Sequence, residues 1–270
     1  MDRTAEKPES RSSFGPAFFF LPPRRRRALS AVYAFARLAD DIADDPALPA
    51  AEKRRRLGEL AASVEALYAG DSGGPISYLA GPVREFGLRK EHFLLLIEGV
   101  GMDADPRRYW NMDDLKAYMY RVASAPGLLV LPVFGAAGGD LPRFAENMGY
   151  AVQLMNIIRD FREDADMGRV YIPEEDLRAF GIAPGRAAAS AGTPDFVELM
   201  KFEAGRARGF YREACLAARG ASGLFPAFMM GELYLAQLAK LERDGFSGGR
   251  PRAGAAGKAA AAWRAFRRIC

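Results

Sequence analysis

The chain has 270 residues, half of them hydrophobic, enough to bury a substantial core as one large domain. Its net charge of +4 is dispersed, with 38 Lys and Arg interleaved among 34 Asp and Glu, which argues against a nucleic-acid-binding stripe. The two cysteines, Cys215 and Cys270, have neither metal nor redox spacing and read as ordinary thiols.

From the N-terminus, MDRTAEKPESRSS lacks the charged, apolar and small-residue order of a signal peptide. Apolar residues then recur every three or four positions in 28–43, 54–69, 91–102, 113–135, 142–164, 194–218 and 224–243, so the expected fold class is all-α. The breaks carry turn residues: DDPALP at 44–49, GDSGGP at 70–75, DADPRRY at 103–109, GGDLP at 138–142 and GIAPG at 181–185. These are connections within one body, and no 30–50-residue period suggests a solenoid. The apolar run GLLVLPVFGAAGG at 127–139 is too short for a membrane span and is interrupted by Pro132, so any membrane contact is expected to be peripheral, and the missing signal-peptide pattern gives the expectation of a cytoplasmic protein. Residues 1–270 form a single domain in this reading, with 1–11 and about 247–270 loosely ordered and a short basic helix at the C-terminal end.

Four aspartates, Asp40, Asp41, Asp44 and Asp45, crowd the end of the first helical segment, where like charges four residues apart repel. A helix advances about 100° per residue, so Tyr33, Arg37, Asp40 and Asp44 form one narrow polar stripe on an otherwise apolar segment. Gln153, Asn156, Asp160 and Asp164 form a second stripe, again within apolar surroundings. Either D-x-x-x-D pair alone is a common solvated face; its duplication inside apolar helices is what points to a shared interior. Carboxylates about 6 Å apart in an enclosed site stay ionised only beside a cation. Magnesium suits them, because it takes one or two carboxylates and fills its remaining positions with water and phosphate oxygens. Two such pairs would hold ions and a diphosphate between them, with Arg37 and Arg159 neutralising the same phosphates. Asp41 and Asp45 read as solvated, Asp45 closing the helix before Pro46. A di-iron bundle is excluded, because the one histidine, His92, lies in no E-x-x-H motif and reads as structural.

Three segments, SFGPAFFFLPPRRRRALSAVYAFARLADDIADD, YMYRVASAPG and GYAVQLMNIIRDFREDADMGRVYIPEEDL, carry a resemblance to the squalene/phytoene synthase family over roughly residues 12–245. The resemblance implies an isoprenoid-synthase helical bundle with a central cavity, and a Mg-dependent head-to-head prenyl transferase. By motif match, Asp40, Asp44, Asp160 and Asp164 would hold magnesium, with manganese as an alternative. Ser13, Tyr33, Arg37, Gln153, Asn156 and Arg159 would bind diphosphate, and Tyr118 would sit beside the developing cation. The segment MDADPRRYWNMDDLKAYMYRVASA is most similar to the bacterial branch that joins two farnesyl diphosphates into presqualene diphosphate. Phytoene-type condensation of two geranylgeranyl diphosphates is the alternative, followed by hydroxysqualene or squalene synthesis. NADPH is not favoured, and GAAGGD at 135–140 does not match a dinucleotide fingerprint. A non-catalytic scaffold relative would have lost aspartates from these motifs, and all four are present.

Phe14, Phe18, Phe19, Phe20, Phe35 and Phe134 are candidates for the cavity wall. Two departures from the family pattern bear on the site: Pro126, expected inside a helix where it would remove a hydrogen bond and kink the rod, and Arg11 in place of a small hydroxyl residue. The run Arg24 to Arg27 reads as a solvated basic turn ahead of the first helix, or as a patch for anions. The C-terminal WRAFRR reads as a basic amphipathic anchor at the inner membrane surface. Monomer and homodimer both remain open.

Overall fold

The computed structural model describes residues 21–71, 73–104, 107–247 and 254–269. Ser13, Arg11 and Phe14, Phe18, Phe19 and Phe20 lie outside these residues. Eleven α-helices appear among the described residues, with one isolated β-bridge between Ala137 and Ser222 and no strand. They are α1 (Pro23–Asp44), α2 (Ala50–Tyr68), α3 (Ala80–Phe86), α4 (Lys90–Gly101), α5 (Met112–Met119), α6 (Ala125–Phe134) and α7 (Leu141–Asp166), followed by α8 (Glu174–Ala179), α9 (Pro194–Ala217), α10 (Phe225–Arg243) and α11 (Ala255–Ile269).

The helix starts follow local chemistry. Asn111, Asp140 and Thr193 each accept a backbone N–H three residues on, and proline occupies the first turn of α1, α7, α9 and α10. Gly87 and Gly135 close α3 and α6 in the left-handed conformation. Helix α1 begins earlier than its periodicity predicts, so Arg24 to Arg27 lie inside it rather than in a preceding turn. Three of them are engaged: Arg24 pairs with Glu85 at 2.9 Å, Arg25 donates to the Phe134 carbonyl, and Arg26 donates to the Leu21 carbonyl at 3.1 Å.

Helix α7 is the centre of the bundle. It packs against α5, α6, α9, α10 and the turn between α5 and α6, and buries twelve residues from Phe144 to Phe161. Phe35, Phe93, Phe144, Phe196 and Phe228 are fully buried, each contributing about 1.5–3 kcal/mol of transfer free energy. Phe35 stands edge-on to Phe93 at 5.0 Å and does not reach the cavity described below; of the two places open to such a phenylalanine, wall or ordinary core, it takes the core.

Helices α5 and α6 are joined through one π-helical turn, Tyr120–Ser124, in which Ala125 N–H bonds the Tyr120 carbonyl five residues back. Pro126 therefore opens α6 rather than interrupting a continuous α-helix, and the wide turn absorbs the irregularity expected of it. The joined rod Met112–Phe134 is long and apolar enough to cross a membrane, by length and composition only. Residues 127–134 are only the last part of that rod. The rod is a core element here: Leu115, Met119, Leu129 and Val133 are fully enclosed.

Candidate active site

Helices α1, α4, α6, α7 and α10, with the π-turn, enclose a cavity of about 280 Å³. One end is polar, lined by Tyr33, Arg37 and Asp40 of α1, Gln153 and Asn156 of α7, and Tyr234 of α10. The other end is apolar, with Leu29, Phe134, Phe144 and Pro226. Leu29 to Asp40 and Phe144 to Asn156 are eleven- and twelve-residue helical spans, so the cavity runs about 16–18 Å along the bundle. Phe134 reaches the wall as expected.

Of the first stripe, Tyr33, Arg37 and Asp40 line the polar end, and of the second, Gln153 and Asn156; Asp44, Asp160 and Asp164 are not among the lining residues. Burial, and then the neighbouring Asp44 charge, push the Asp40 carboxyl up to about 7. Asp44 is held by Arg169 at 3.0 Å, and Asp160 accepts two hydrogen bonds from Arg159, at 2.8 and 2.6 Å. Arg37 lines the cavity and also donates to Asp41 at 2.8 Å in an exposed pair one turn apart, so Asp41 stays on the solvated face. Asn156 donates to Gln153 at 3.3 Å, while its own buried Oδ1 has no protein partner. Asp164 belongs to the same helix face, one turn beyond Asp160.

These side chains fit a divalent cation with a phosphate ligand. No group of three or more acidic, His or Cys side chains among the described residues could hold a metal alone. One or two carboxylates per ion, completed by water and phosphate oxygens, is the set that magnesium accepts. The raised Asp40 carboxyl and the orphaned Asn156 oxygen both mark a place where a charge partner is absent from the protein itself. Arg159 and Arg169 meanwhile neutralise one aspartate of each pair.

Tyr118 takes a different position from the one expected beside the cation. It is buried behind the wall and donates to Asp103 at 2.9 Å, as does Tyr171 at 2.8 Å. Burial raises the Asp103 carboxyl, against the lowering effect of those two hydrogen bonds. The rings of Tyr109, Tyr118 and Tyr171 lie 5.1–5.8 Å apart around it. The 169–176 segment is tied to the 109–112 segment by Glu174 N–H to the Tyr109 carbonyl at 2.8 Å and Glu175 N–H to the Trp110 carbonyl at 3.1 Å. Asp103, Arg169, Tyr171 and Tyr234 were not singled out from the sequence. Arg169 and Tyr171 stand within the G-R-x-Y-x-P stretch, which was the available signal; Asp103 sits in a turn and Tyr234 in an unremarkable apolar helix. Tyr234, which lines the cavity, carries the Arg159 guanidinium over its ring at 5.6 Å.

An all-α bundle around an elongated, mostly apolar cavity that carries Arg37, Asp40, Gln153 and Asn156 at one end is the layout of an isoprenoid synthase. The family described as squalene/phytoene synthase matches residues 7–256. A presqualene diphosphate synthase of Zymomonas mobilis is 36% identical over 242 residues, covering 88% of this chain and 83% of that one. A phytoene synthase of Arthrospira platensis is 33% identical over 220 residues, covering 76% and 70%. The crystal structure of a dehydrosqualene synthase superposes with a TM-score of 0.84 at 26% identity, covering 96% of this chain and 92% of that one. The chain belongs to the squalene/phytoene synthase family and is a prenyl transferase acting on prenyl diphosphates.

Proposed function

We propose that the protein condenses two farnesyl diphosphate molecules head to head into presqualene diphosphate, releasing one diphosphate. The single observation carrying the reading is the cavity itself: an apolar tube whose mouth bears Arg37, Asp40, Gln153 and Asn156. The similarity to the Zymomonas presqualene diphosphate synthase supports the fifteen-carbon branch, and the similarity to phytoene synthases keeps the twenty-carbon alternative in view.

Asp40 and Asp44 on α1, with Asp160 and Asp164 on α7, would hold magnesium, which when bound supplies positive charge to a departing diphosphate. Tyr33, Gln153 and Asn156 orient the diphosphate, and Arg37 and Arg159 add charge from either side of the mouth. Ser13, matched to the same role, belongs to the undescribed N-terminal residues. Leu131, Phe134, Val152 and their neighbours surround the allylic cation left when the diphosphate departs with the C–O electron pair. They exclude water, so the double bond of the second prenyl chain is the available nucleophile; ring closure to the cyclopropane then expels a proton. Tyr118, in this reading, acts through Asp103 and Tyr171, holding the loop that carries Arg169 against the mouth. We read the chain as one domain, monomeric or homodimeric, working in the cytoplasm at the inner membrane surface with no NADPH-dependent step.

Incubation with farnesyl or geranylgeranyl diphosphate, with magnesium or EDTA, tests this by mass spectrometry of the products. Metal-dependent presqualene diphosphate is expected; phytoene would move the branch, and no product from folded protein would remove the catalytic reading. The closed end sets chain length. Phe134→Ala is expected to raise the preference for the twenty-carbon over the fifteen-carbon substrate by about tenfold or more, since one buried methylene already discriminates by about that factor. An unchanged ratio of kcat/KM values would place the length limit elsewhere.

A further inference from the structure

Helix α11 is docked by one face and leaves the other unpartnered. Ala261 and Ala265 are fully buried, and Glu232 of α10, itself 3% exposed, accepts from Arg264 at 2.8 Å and Arg268 at 3.1 Å. Tyr211 of α9 donates to the same carboxylate at 2.9 Å, and Arg268 lies over its ring at 5.3 Å. Those contacts fix the rotation of α11 about its axis.

The opposite face departs from what a surface helix of a water-soluble bundle presents. At about 100° per residue, Ala256, Ala259, Ala260, Trp263, Phe266 and Arg267 project together away from the bundle, and all six are exposed. Trp263 is 63% and Phe266 49% exposed, the two rings stacked 6.1 Å apart at 23°. Two large adjacent aromatics in water lose apolar transfer energy that an interface would recover. The helix carries Lys258, Arg264, Arg267 and Arg268 and no acidic residue.

We propose that this face of α11 is a docking surface for an anionic lipid bilayer, with Trp263 and Phe266 entering the headgroup boundary and Arg267 facing the lipid charges. Charge decides the occupant. A second copy of the chain meeting this face about a two-fold axis would set Arg267 against its own counterpart, with no acid on the helix to compensate. An anionic bilayer supplies that missing charge, and an amphipathic basic helix with Trp and Phe on its apolar side lies in such an interface. The placement also serves the cavity. Helix α10 lines it through Ala227, Met230 and Tyr234 while receiving α11 through Glu232, so a docked α11 sets the cavity wall within one helix packing distance of α11, about 8–10 Å.

The chain has two tryptophans, Trp110 and Trp263, so in a Trp110→Phe variant the emission reports Trp263 alone. Mixing with vesicles of phosphatidylcholine and phosphatidylglycerol is expected to shift that emission to the blue and to sediment the protein, both effects weakening with salt and absent with phosphatidylcholine alone. Trp263→Ser/Phe266→Ser is expected to lower the vesicle partition coefficient at least about tenfold, and Arg267→Glu to lower it mainly at low salt, with turnover of soluble substrate unchanged in both. An unshifted emission, or equal partition of the double variant and its parent, would overturn the proposal. So would a dimer in sedimentation velocity that Trp263→Ser/Phe266→Ser converts to monomer, since the face would then be a contact between copies.

Discussion

Asp40→Asn is expected to abolish prenyl transfer while making the metal-free protein more stable at pH 8. The asparagine keeps the shape of the side chain but loses the charge that a divalent cation and its diphosphate require, and the expected loss in kcat is at least about a thousandfold, the scale of removing a preorganised electrostatic partner. The gain in stability comes from the same charge. Burial and the adjacent Asp44 raise the Asp40 carboxyl from 3.8 to about 7, so the folded state binds a proton that the unfolded chain has already released over that window. Stability is therefore fully present below 3.8, declines as pH rises, and has lost this contribution above 7. The whole shift would amount to about 4 kcal/mol; Asp40 faces the open cavity mouth, so about 2 kcal/mol is the expected gain, or about 4–8 °C in Tm. The gap between wild type and variant should shrink toward pH 4, where both side chains are neutral. Thermal melts at pH 4, 6 and 8 without metal, and turnover with magnesium at pH 8, check both halves. An active variant would remove Asp40 from the ligand set, and a pH-independent gap would show that its charge carries no cost in the fold.

The aspartate stripes were legible because a helix converts sequence spacing directly into direction. Asp40 and Asp44, like Asp160 and Asp164, are four residues apart on segments with a regular apolar period, so their common side follows from about 3.6 residues per turn. The seven periodic segments matched helices for the same reason, each boundary lying within a few residues except where α1 takes in the arginine run. What spacing could not supply is the set of partners brought in by the chain's return. Arg169 reaches Asp44 across 125 residues, and Asp103 collects Tyr118 and Tyr171 from 15 and 68 residues away. Neither depends on a local period. The two phenylalanines Phe35 and Phe134 show the same limit: both are apolar residues on core helices, and only the packing decides that the first meets Phe93 and the second meets the cavity. Glu232 reads as an isolated acid in an apolar helix until α11 supplies Arg264 and Arg268.

Gly149→Ala is expected to be among the most destabilising single-methyl changes in the molecule, lowering stability by about 3–5 kcal/mol and Tm by about 6–15 °C. Helix α7 crosses the π-turn at this residue. A Cβ there would lie 2.4 Å from Ser124 Oγ, 2.6 Å from Ser124 N and 2.7 Å from Ser124 Cα. Two of those three atoms are backbone or bonded to it, and the turn has little freedom to retreat, because on its far side Gly99 already sits where a Cβ would be 2.7 Å from Arg121 Cβ and 2.8 Å from a Val122 methyl. The π-turn is thus clamped between two glycines on α4 and α7. A shift would also be felt in the cavity, since Val122, Ala123 and Pro126 line it. Activity measured below the melting temperature should fall along with Tm. Adding Ser124→Gly removes the hydroxyl, and with it the bond to the Glu146 carbonyl at 2.9 Å, but leaves the nitrogen and Cα where they are. Little rescue is therefore expected from the double variant. Full rescue would mean that a movable side chain alone had been in the way, and that the close approach of the two backbones is not what holds Val122 and Ala123 against the substrate space.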